Sequence, residues 1–301
     1  MPERGTHRQL GAVPPPSAPD ARTGAAAGYR PGRTLRLRVE LRRQLLRRRT
    51  TLAFGFLLLL PLLLVGAFSL GSDSSGGNAP GLVDLATRGA LNFTLFTLFA
   101  STGFLLVVIV ALFVGDTVAV EASWSSLRYQ LTLPVPRSRL LRQKLLVGLG
   151  LSLLAVVLLP AAAYLAGGIF FGWAPVQLPL GGTLSTGTGL ARLCVIVGYL
   201  AVTLLFVASL GFFLGVCTDA PLGAVGGAVL IVILSNILDA VTALGSVRNA
   251  LPTHWSYAWT DALADRIVWS DMAAGAACSL SYAVLLLAAA WLRFARKDIT
   301  S

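Results

Sequence analysis

The sequence is poor in charge for a chain of its length. Only 12% of its 301 residues are charged, about half the usual share of a soluble domain, while 55% are hydrophobic. So few charges cannot coat a water-facing surface of this size, which excludes an ordinary soluble enzyme and a disordered protein. The composition therefore indicates a polytopic membrane protein, with about 20 apolar residues in each helical span.

Histidine, lysine and cysteine are scarce, and the motifs that need them are absent. The chain has two histidines, two lysines and three cysteines. Without HExxH or GxSxG it lacks zinc-hydrolase ligands and a serine nucleophile. Neither lysine follows a glycine, so no P-loop can cradle ATP, and the odd cysteines form no disulfide framework. We expect no catalytic residue, cofactor or metal in this chain.

Acidic residues are also few, and this leaves a strong positive balance. Lysine and arginine number 24 against 13 acids, a net charge of +11. Such an excess is typical of proteins that meet nucleic acid or an anionic membrane surface. Because the basic residues cluster beside apolar runs, we expect membrane lipids and no nucleic acid as partner. The Arg-, Ala-, Gly- and Pro-rich usage favours a bacterial source, and hence the cytoplasmic (inner) membrane.

Two segments precede the first apolar run. Residues 1–33 are rich in proline and arginine without an apolar run, which predicts a disordered cytoplasmic tail. Residues 34–50 are dense in arginine and leucine. They predict a segment lying on the cytoplasmic face, where arginine reaches anionic headgroups and leucine enters the boundary. A solvated basic linker is the alternative. Residues 297–301 would form a second cytoplasmic tail.

Residues 51–296 contain six apolar runs. Each has about 20–25 residues, enough to cross about 30 Å of hydrocarbon as a helix. Long runs without strand alternation must be helical in lipid, because only a helix satisfies its own backbone there. The sequence therefore predicts an all-α integral membrane protein. The six predicted spans are 52–70, 91–115, 146–170, 192–216, 222–241 and 273–292.

The distribution of basic residues predicts the orientation. With both termini inside, 20 of the 24 lysines and arginines lie on the cytoplasmic side and four outside. The outer loop 242–272 carries Trp255, Trp259 and Trp269, which we expect at the outer interface as an aromatic belt. Asp239, near the end of the fifth span, is expected at the outer headgroups, with a functional intramembrane acid as the alternative.

Paired glycines predict close helix approach. Gly211 and Gly215 form a GxxxG pair in the fourth span, and Gly223 and Gly227 form another in the fifth. Such pairs let helix backbones approach closely in membranes. Among 31 glycines, chance is the alternative.

The cytoplasmic loop 116–145 carries an amphipathic helix pattern. Apolar side chains recur at i, i+4, i+7 and i+11, on one helix face, with Glu121 and Arg128 in an adjacent polar strip. The apolar residues are Val120, Trp124, Leu127 and Leu131. A helix across the membrane face between two spans could pass on a push from a cytoplasmic partner. An ordinary interfacial helix is the alternative.

The same loop resembles the cytoplasmic signature of type-2 ATP-binding-cassette (ABC) exporter permeases. The pieces that carry the likeness are Glu121, Ser125-Ser126-Leu127, Pro134-Val135-Pro136-Arg137, Leu140-Leu141 and Lys144. Two further stretches resemble the family's outer segment and its ending. They are Leu251-Pro252-Thr253-His254 and Arg296-Lys297-Asp298-Ile299. Ser125-Ser126 departs from the Gly-Thr that is common in the family.

The resemblance implies a six-helix exporter fold, a homodimer or a heterodimer with a similar chain, and a separate P-loop ATPase that binds ATP and Mg. It also implies that four residues form the ATPase-coupling helix. They are Glu121, Trp124, Leu127 and Arg128. This chain would then be a permease and not an enzyme, with lipid-like or amphiphilic cargo. The alternatives are a non-transporting scaffold or resistance component with the same fold and, more distantly, an intramembrane enzyme.

Overall fold

The computed structural model describes residues 37–71, 82–123, 137–178, 182–264 and 266–296. The predicted tails at 1–33 and 297–301 lie outside the described residues, as does most of the predicted coupling helix. Within the described ranges the chain is built mainly of α-helices. They are α1 (Leu37–Leu45), α2 (Arg48–Gly71), α3 (Leu82–Ala86), α4 (Ala90–Thr102), α5 (Leu105–Ser123), α6 (Arg137–Phe171), α7 (Thr186–Cys217), α8 (Pro221–Ala240) and α9 (Trp269–Arg296).

Short irregular elements join α6 to α7 and α8 to α9. Strands β1 (Val176–Gln177) and β2 (Thr183–Leu184) form a small antiparallel ladder with Val176 opposite Leu184. This ladder departs from the all-α prediction. Two 3-10 helices, Thr242–Ala250 and Ala258–Leu263, follow α8.

The prediction of a multi-pass helical membrane protein is confirmed by the length and the apolar character of its helices. Helices α2, α6, α7, α8 and α9 are long and apolar enough to cross a membrane. Helices α4 and α5 pass the same test together, but they are bent by 60° at the break between them. Counting the bent pair as one span gives six.

The break between α4 and α5 differs from the predicted continuous span 91–115, and its cause lies in the hydroxyl side chains of α4. Each of four hydroxyls donates to the carbonyl four residues earlier, which competes with the helical N–H and bends the helix. They are Thr94, Thr97, Ser101 and Thr102. Gly103 comes next and has a low helix propensity, so the helix stops there.

Several helices extend beyond their predicted apolar runs. Helix α6 begins at Arg137 instead of near 146, and α7 begins at Thr186 instead of near 192. The added turns contain polar residues, which hydropathy alone assigns to loops. Helix α5 continues to Ser123, so it includes Val120 and Glu121, the first residues of the predicted amphipathic pattern.

Helix α7 occupies the centre of the bundle. In the most apolar part of α7, 56% of residues are buried, against 17% in α2 and 22% in α8 and α9. Helices α5, α8 and α9 all pack against α7. The large exposed apolar faces of α2, α8 and α9 are therefore the surfaces available to lipid or to another subunit.

The predicted glycine pairs lie at contacts within the chain. A Cβ at Gly215 would lie 2.5 Å from the carbonyl oxygen of Gly115 on α5, and one at Gly211 would lie 3.4 Å from that of Ala111. Glycine is thus needed where α5 and α7 touch through their backbones. At Gly227 a Cβ would lie 3.2 Å from Leu214 of the same chain. A Cβ at Gly223 would meet only Ala220 and Thr218, at 3.6 and 3.7 Å.

We expect Gly215→Ala to lower the free energy of unfolding by about 1–3 kcal/mol, because the new methyl group meets backbone that cannot move aside. The midpoint of thermal unfolding of the purified chain in detergent measures this. Gly150→Ala is the matched control, since a Cβ at Gly150 has nothing within 4 Å. An unchanged midpoint in Gly215→Ala would show that α5 and α7 do not meet at this glycine.

Candidate functional site

Basic residues gather at one end of the bundle. The N-termini of α2, α6 and α8 and the C-termini of α5, α7 and α9 meet at this arginine-rich end. The helix α1 lies there as well and contacts α2 and α6. The segment 124–136, which joins α5 to α6, leaves and re-enters the described structure at this end.

Asp116 on α5 is the most deeply placed acid of this end. Its residue is 7% exposed, and Arg49 Nη1 donates to its Oδ1 at 3.0 Å. Arg47 Nη1 lies 3.8 Å from Oδ2. A buried carboxylate is tolerated only when it is paired, so the two arginines at the start of α2 account for its position.

Glu40 on α1 forms a second ion-pair group at the same end of the bundle. Its Oε1 accepts hydrogen bonds from Arg43 at 3.0 Å and from Gln44 at 3.1 Å. The ammonium group of Lys144 on α6 lies 4.0 Å from that oxygen, and Lys144 is only 2% exposed. A lysine this buried requires an anionic partner.

These contacts join both helices that flank segment 124–136 to the N-terminal part of the chain. Asp116 ties α5 to α2, and Lys144 ties α6 to α1. We call the group the inter-helix ion cluster. Its members are Glu40, Arg47, Arg49, Asp116 and Lys144. The arrangement can couple a displacement of α5 to α2 and one of α6 to α1, because each ion pair joins two of these helices.

The predicted coupling residues lie next to this cluster along the chain. Glu121 belongs to the last turn of α5, about one and a half turns after Asp116. Trp124, Leu127 and Arg128 lie outside the described residues. The sequence reasoning missed Asp116 as a paired acid, because Arg49 is 67 positions away. The available signal was an acid beside Gly115, at the end of one apolar run, together with the arginines just before another run, at 47–49.

A capping segment, residues 242–264, covers the opposite end of the bundle. Asp239 in the last turn of α8 contacts this segment twice. Its Oδ1 lies 2.5 Å from Nδ1 of His254 and 3.4 Å from Nε of Arg248. Asp239, expected at the headgroups, therefore pairs within the chain and fixes the capping segment to α8.

Helices α7 and α9 also hold the capping segment. The buried Arg192 donates to the carbonyl of Ala262 at 3.2 Å, and the hydroxyl of Tyr199 donates to the carbonyl of Trp255 at 2.7 Å. From α9, Tyr282 donates to the carbonyl of Ala250 at 3.0 Å. Two helices thus donate hydrogen bonds to backbone carbonyls of one irregular segment, which satisfies that backbone and holds it in place.

Tyr257 connects the capping segment to the break between α4 and α5. Its ring packs against Phe99 with the centroids 5.1 Å apart. Partial burial raises the pKa of Tyr257 above its ordinary value, and a hydrogen bond with the Gly103 backbone opposes that shift. The phenol therefore stays neutral at physiological pH and contacts backbone at the helix break.

The three tryptophans predicted for the outer interface differ in environment. Trp259 is 1% exposed, so its ring packs inside the bundle and does not join an aromatic belt. Trp255 is half-buried and donates through Nε1 to the carbonyl of Asn249 at 3.1 Å. Trp269 is exposed at the start of α9. The difference arises because Ala258–Leu263 folds back over α7 instead of lying flat at the interface.

These features define the class as a helical, multi-pass membrane protein. The model of one protein family matches residues 84–300, which is more than half of the chain. The chain therefore belongs to that family, DUF2705, whose function is unknown. No curated protein matches the sequence.

We expect Asp116→Asn to lower the free energy of unfolding by about 1–3 kcal/mol, because it leaves arginines without their anion. A double-mutant cycle with Arg49→Gln should give a coupling of roughly 0.5–1 kcal/mol, since the Arg49 side chain is 59% exposed and its pair is partly screened. Thermal unfolding in detergent gives the stability of the wild type, the two single variants and the double variant.

Arg48→Gln is the matched control, since Arg48 is exposed beside Arg49 and no ion pair joins it to Asp116 among the described residues. Its effect should add to that of Asp116→Asn without coupling. Equal coupling for Arg48 and Arg49 would contradict the specific pairing.

Proposed function

We propose that this chain is the membrane-spanning permease subunit of an ATP-driven ABC exporter. The observation that carries the proposal is the position of the inter-helix ion cluster. It joins α5 and α6, the two helices that flank segment 124–136, to α1 and α2. The sequence around that segment resembles the ATPase-coupling signature of type-2 ABC permeases. A force applied to this segment would therefore be transmitted through α5 and α6 to α2 and α1.

The helix break supplies a place for movement. Helix α5 carries Asp116 and packs on α7, while α4 is held at the opposite end of the bundle. Since 60° separates their axes, the break at Gly103 and Phe104 can take up a change in the angle between them. A displacement of α5 at the arginine-rich end can thus change its angle to α4 without first moving α4.

The energy source in this proposal is a second polypeptide. The sequence has no P-loop, so ATP and Mg would bind to a partner ATPase docked beneath the 116–145 loop. A second permease chain, identical or similar, would cover part of the exposed apolar faces. A lipid-like or amphiphilic cargo is favoured, because no predicted span carries a polar stripe that would suit a sugar or an ion.

We expect the purified chain alone to hydrolyse no ATP. Co-purification from a host that also expresses its neighbouring genes should yield a second polypeptide and vanadate-sensitive hydrolysis. Glu121→Arg should abolish that association, because it reverses a charge at the proposed contact. Trp124→Ala should weaken it by about 2 kcal/mol or more, as buried tryptophans dominate interfaces.

Asp271→Arg is the control for charge reversal, since Asp271 is exposed at the start of α9, at the opposite end of the bundle. It should leave both association and hydrolysis intact. Hydrolysis by the chain freed of partners would refute the subunit assignment. Association without stimulated hydrolysis would favour a non-transporting scaffold.

The proposed orientation places both termini in the cytoplasm. In a chain with Cys194, Cys217 and Cys278 replaced by serine, a cysteine introduced by Ser74→Cys should react with a membrane-impermeant maleimide on intact cells. One introduced by Ser301→Cys should react only after permeabilisation, because 20 of 24 basic residues favour the cytoplasmic side for that end. Equal labelling of both sites would contradict this topology.

A further inference from the structure

A cavity of about 190 Å³ lies at the end of the bundle opposite the arginine-rich end. Helices α3 and α4, the start of the β-ladder and the 3-10 helix Ala258–Leu263 surround it. Its walls are almost wholly apolar. Its main apolar lining residues are Leu85, Leu95, Phe96, Phe99, Leu178 and Leu263. An apolar cavity of about 150 Å³ can hold benzene, so this one accommodates an apolar group of several carbons.

The indole of Trp259 also lines the cavity, and its polar atom is unsatisfied. Trp259 is 1% exposed, and its Nε1 has no hydrogen-bond partner among the described residues. A buried N–H without an acceptor is destabilising, and most buried tryptophans find one. Nε1 itself has almost no accessible surface, so an occupant that carries a carbonyl oxygen next to an apolar chain would supply the missing acceptor once the indole turns toward the cavity.

The other polar lining groups are already engaged, and the hydroxyl of Thr260 donates to the carbonyl of Tyr257 at 2.8 Å. The side chain of Asn92 donates to the carbonyl of Gln177 at 2.8 Å and accepts from its N–H at 3.0 Å. The side-chain oxygen of Gln177 accepts from the exposed Arg88 at 2.9 Å. Trp259 is therefore the lining group that seeks an acceptor, and Arg88 places a positive charge one side chain away from the cavity.

The cavity lies alongside the first half of α4. Helix α4 begins at Ala90, and its lining residues extend to Phe99, about 14 Å along the helix at 1.5 Å per residue. Because α4 opens the bent pair that counts as one span, an occupant of this cavity would lie beside the outer part of that span. Phe99 is 46% exposed, so the cavity borders the lateral surface of the bundle where lipid lies.

We propose that this cavity binds an acyl chain of a phospholipid from the adjacent leaflet. The indole N–H of Trp259 donates to the ester carbonyl, and Arg88 attracts the phosphate of the headgroup. This goes beyond the permease assignment, because the site needs no ATPase and would exist in a scaffold as well. The apolar walls and the unsatisfied indole carry it together.

The test uses the full-length chain in nanodiscs of phosphatidylethanolamine and phosphatidylglycerol with a small fraction of phosphatidylglycerol bearing a diazirine on its acyl chain. After illumination, mass spectrometry locates the labelled peptides. We expect labelling of the peptides containing Phe96, Phe99 and Leu263 to exceed that of the exposed face of α2. Trp259→Phe keeps the ring and removes the donor, and it should lower this labelling by about three- to tenfold.

A second variant fills the space. Ala86 lines the cavity and is buried, so Ala86→Leu should lower the labelling by at least about fivefold. Ala201→Leu is the control, since Ala201 lines a separate apolar cavity of about 260 Å³ between α5, α6 and α7. It should leave labelling at the first cavity unchanged.

Thermal unfolding of each variant identifies any that fails to fold, and a folded Trp259→Phe then decides. Labelling equal in the wild type, Trp259→Phe and Ala86→Leu would overturn the proposal. So would wild-type labelling no stronger than on α2. Because no nucleotide or ATPase is present, failure here is separate from failure of the permease assignment.

Discussion

The close approach of α5 to α7 at Gly115 is the contact on which the arginine-rich end depends. Lipid gives helices no hydrophobic reason to associate, so they hold together by packing and by interhelical polar contacts. Glycines on both helices let the backbones touch, with no room for a side chain at Gly215. The next residue after Gly115 is Asp116, which this crossing buries. A buried carboxylate needs a cation, and Arg49 brings the start of α2 to it.

Ion pairs occur at both ends of the bundle, and at the end covered by the capping segment buried hydrogen bonds to backbone carbonyls are added. At the arginine-rich end the contacts are ion pairs, some partly hydrated, which can break and re-form as helices shift. At the opposite end, hydrogen bonds to carbonyls of the capping segment and the buried ring of Trp259 fix the backbone. Breaking those bonds would strand backbone groups away from water, which costs more than exchanging ion partners. Rearranging the described contacts of the arginine-rich end is therefore expected to cost less than opening the capping segment.

The positions of the apolar helices could be predicted from the sequence, because about 20 consecutive apolar residues have few other solutions in lipid. The break at Gly103 could not be read from hydropathy, since hydroxyls such as Thr97 and Ser101 interrupt the helix through local hydrogen bonds while remaining compatible with an apolar run. The pairing of Asp116 with Arg49 could not be predicted either, because it depends on how α2 packs against α5. Trp259 was expected to face lipid, because periodicity does not show that an irregular segment folds back over the helices.

The break gives α4 and α5 separate attachments. Helix α4 is bound at the opposite end, where Ala90 donates to the carbonyl of Gly172 and Asn92 pairs with Gln177. Helix α5 is bound at the arginine-rich end through Asp116. A continuous helix would carry any displacement of α5 straight into α4 and from there into the capping segment. With the break in between, held by Tyr257, α5 can pivot while α4 and the cavity beside it keep their shape. A lipid held in that cavity would then stabilise the fixed half of the bundle against which α5 moves.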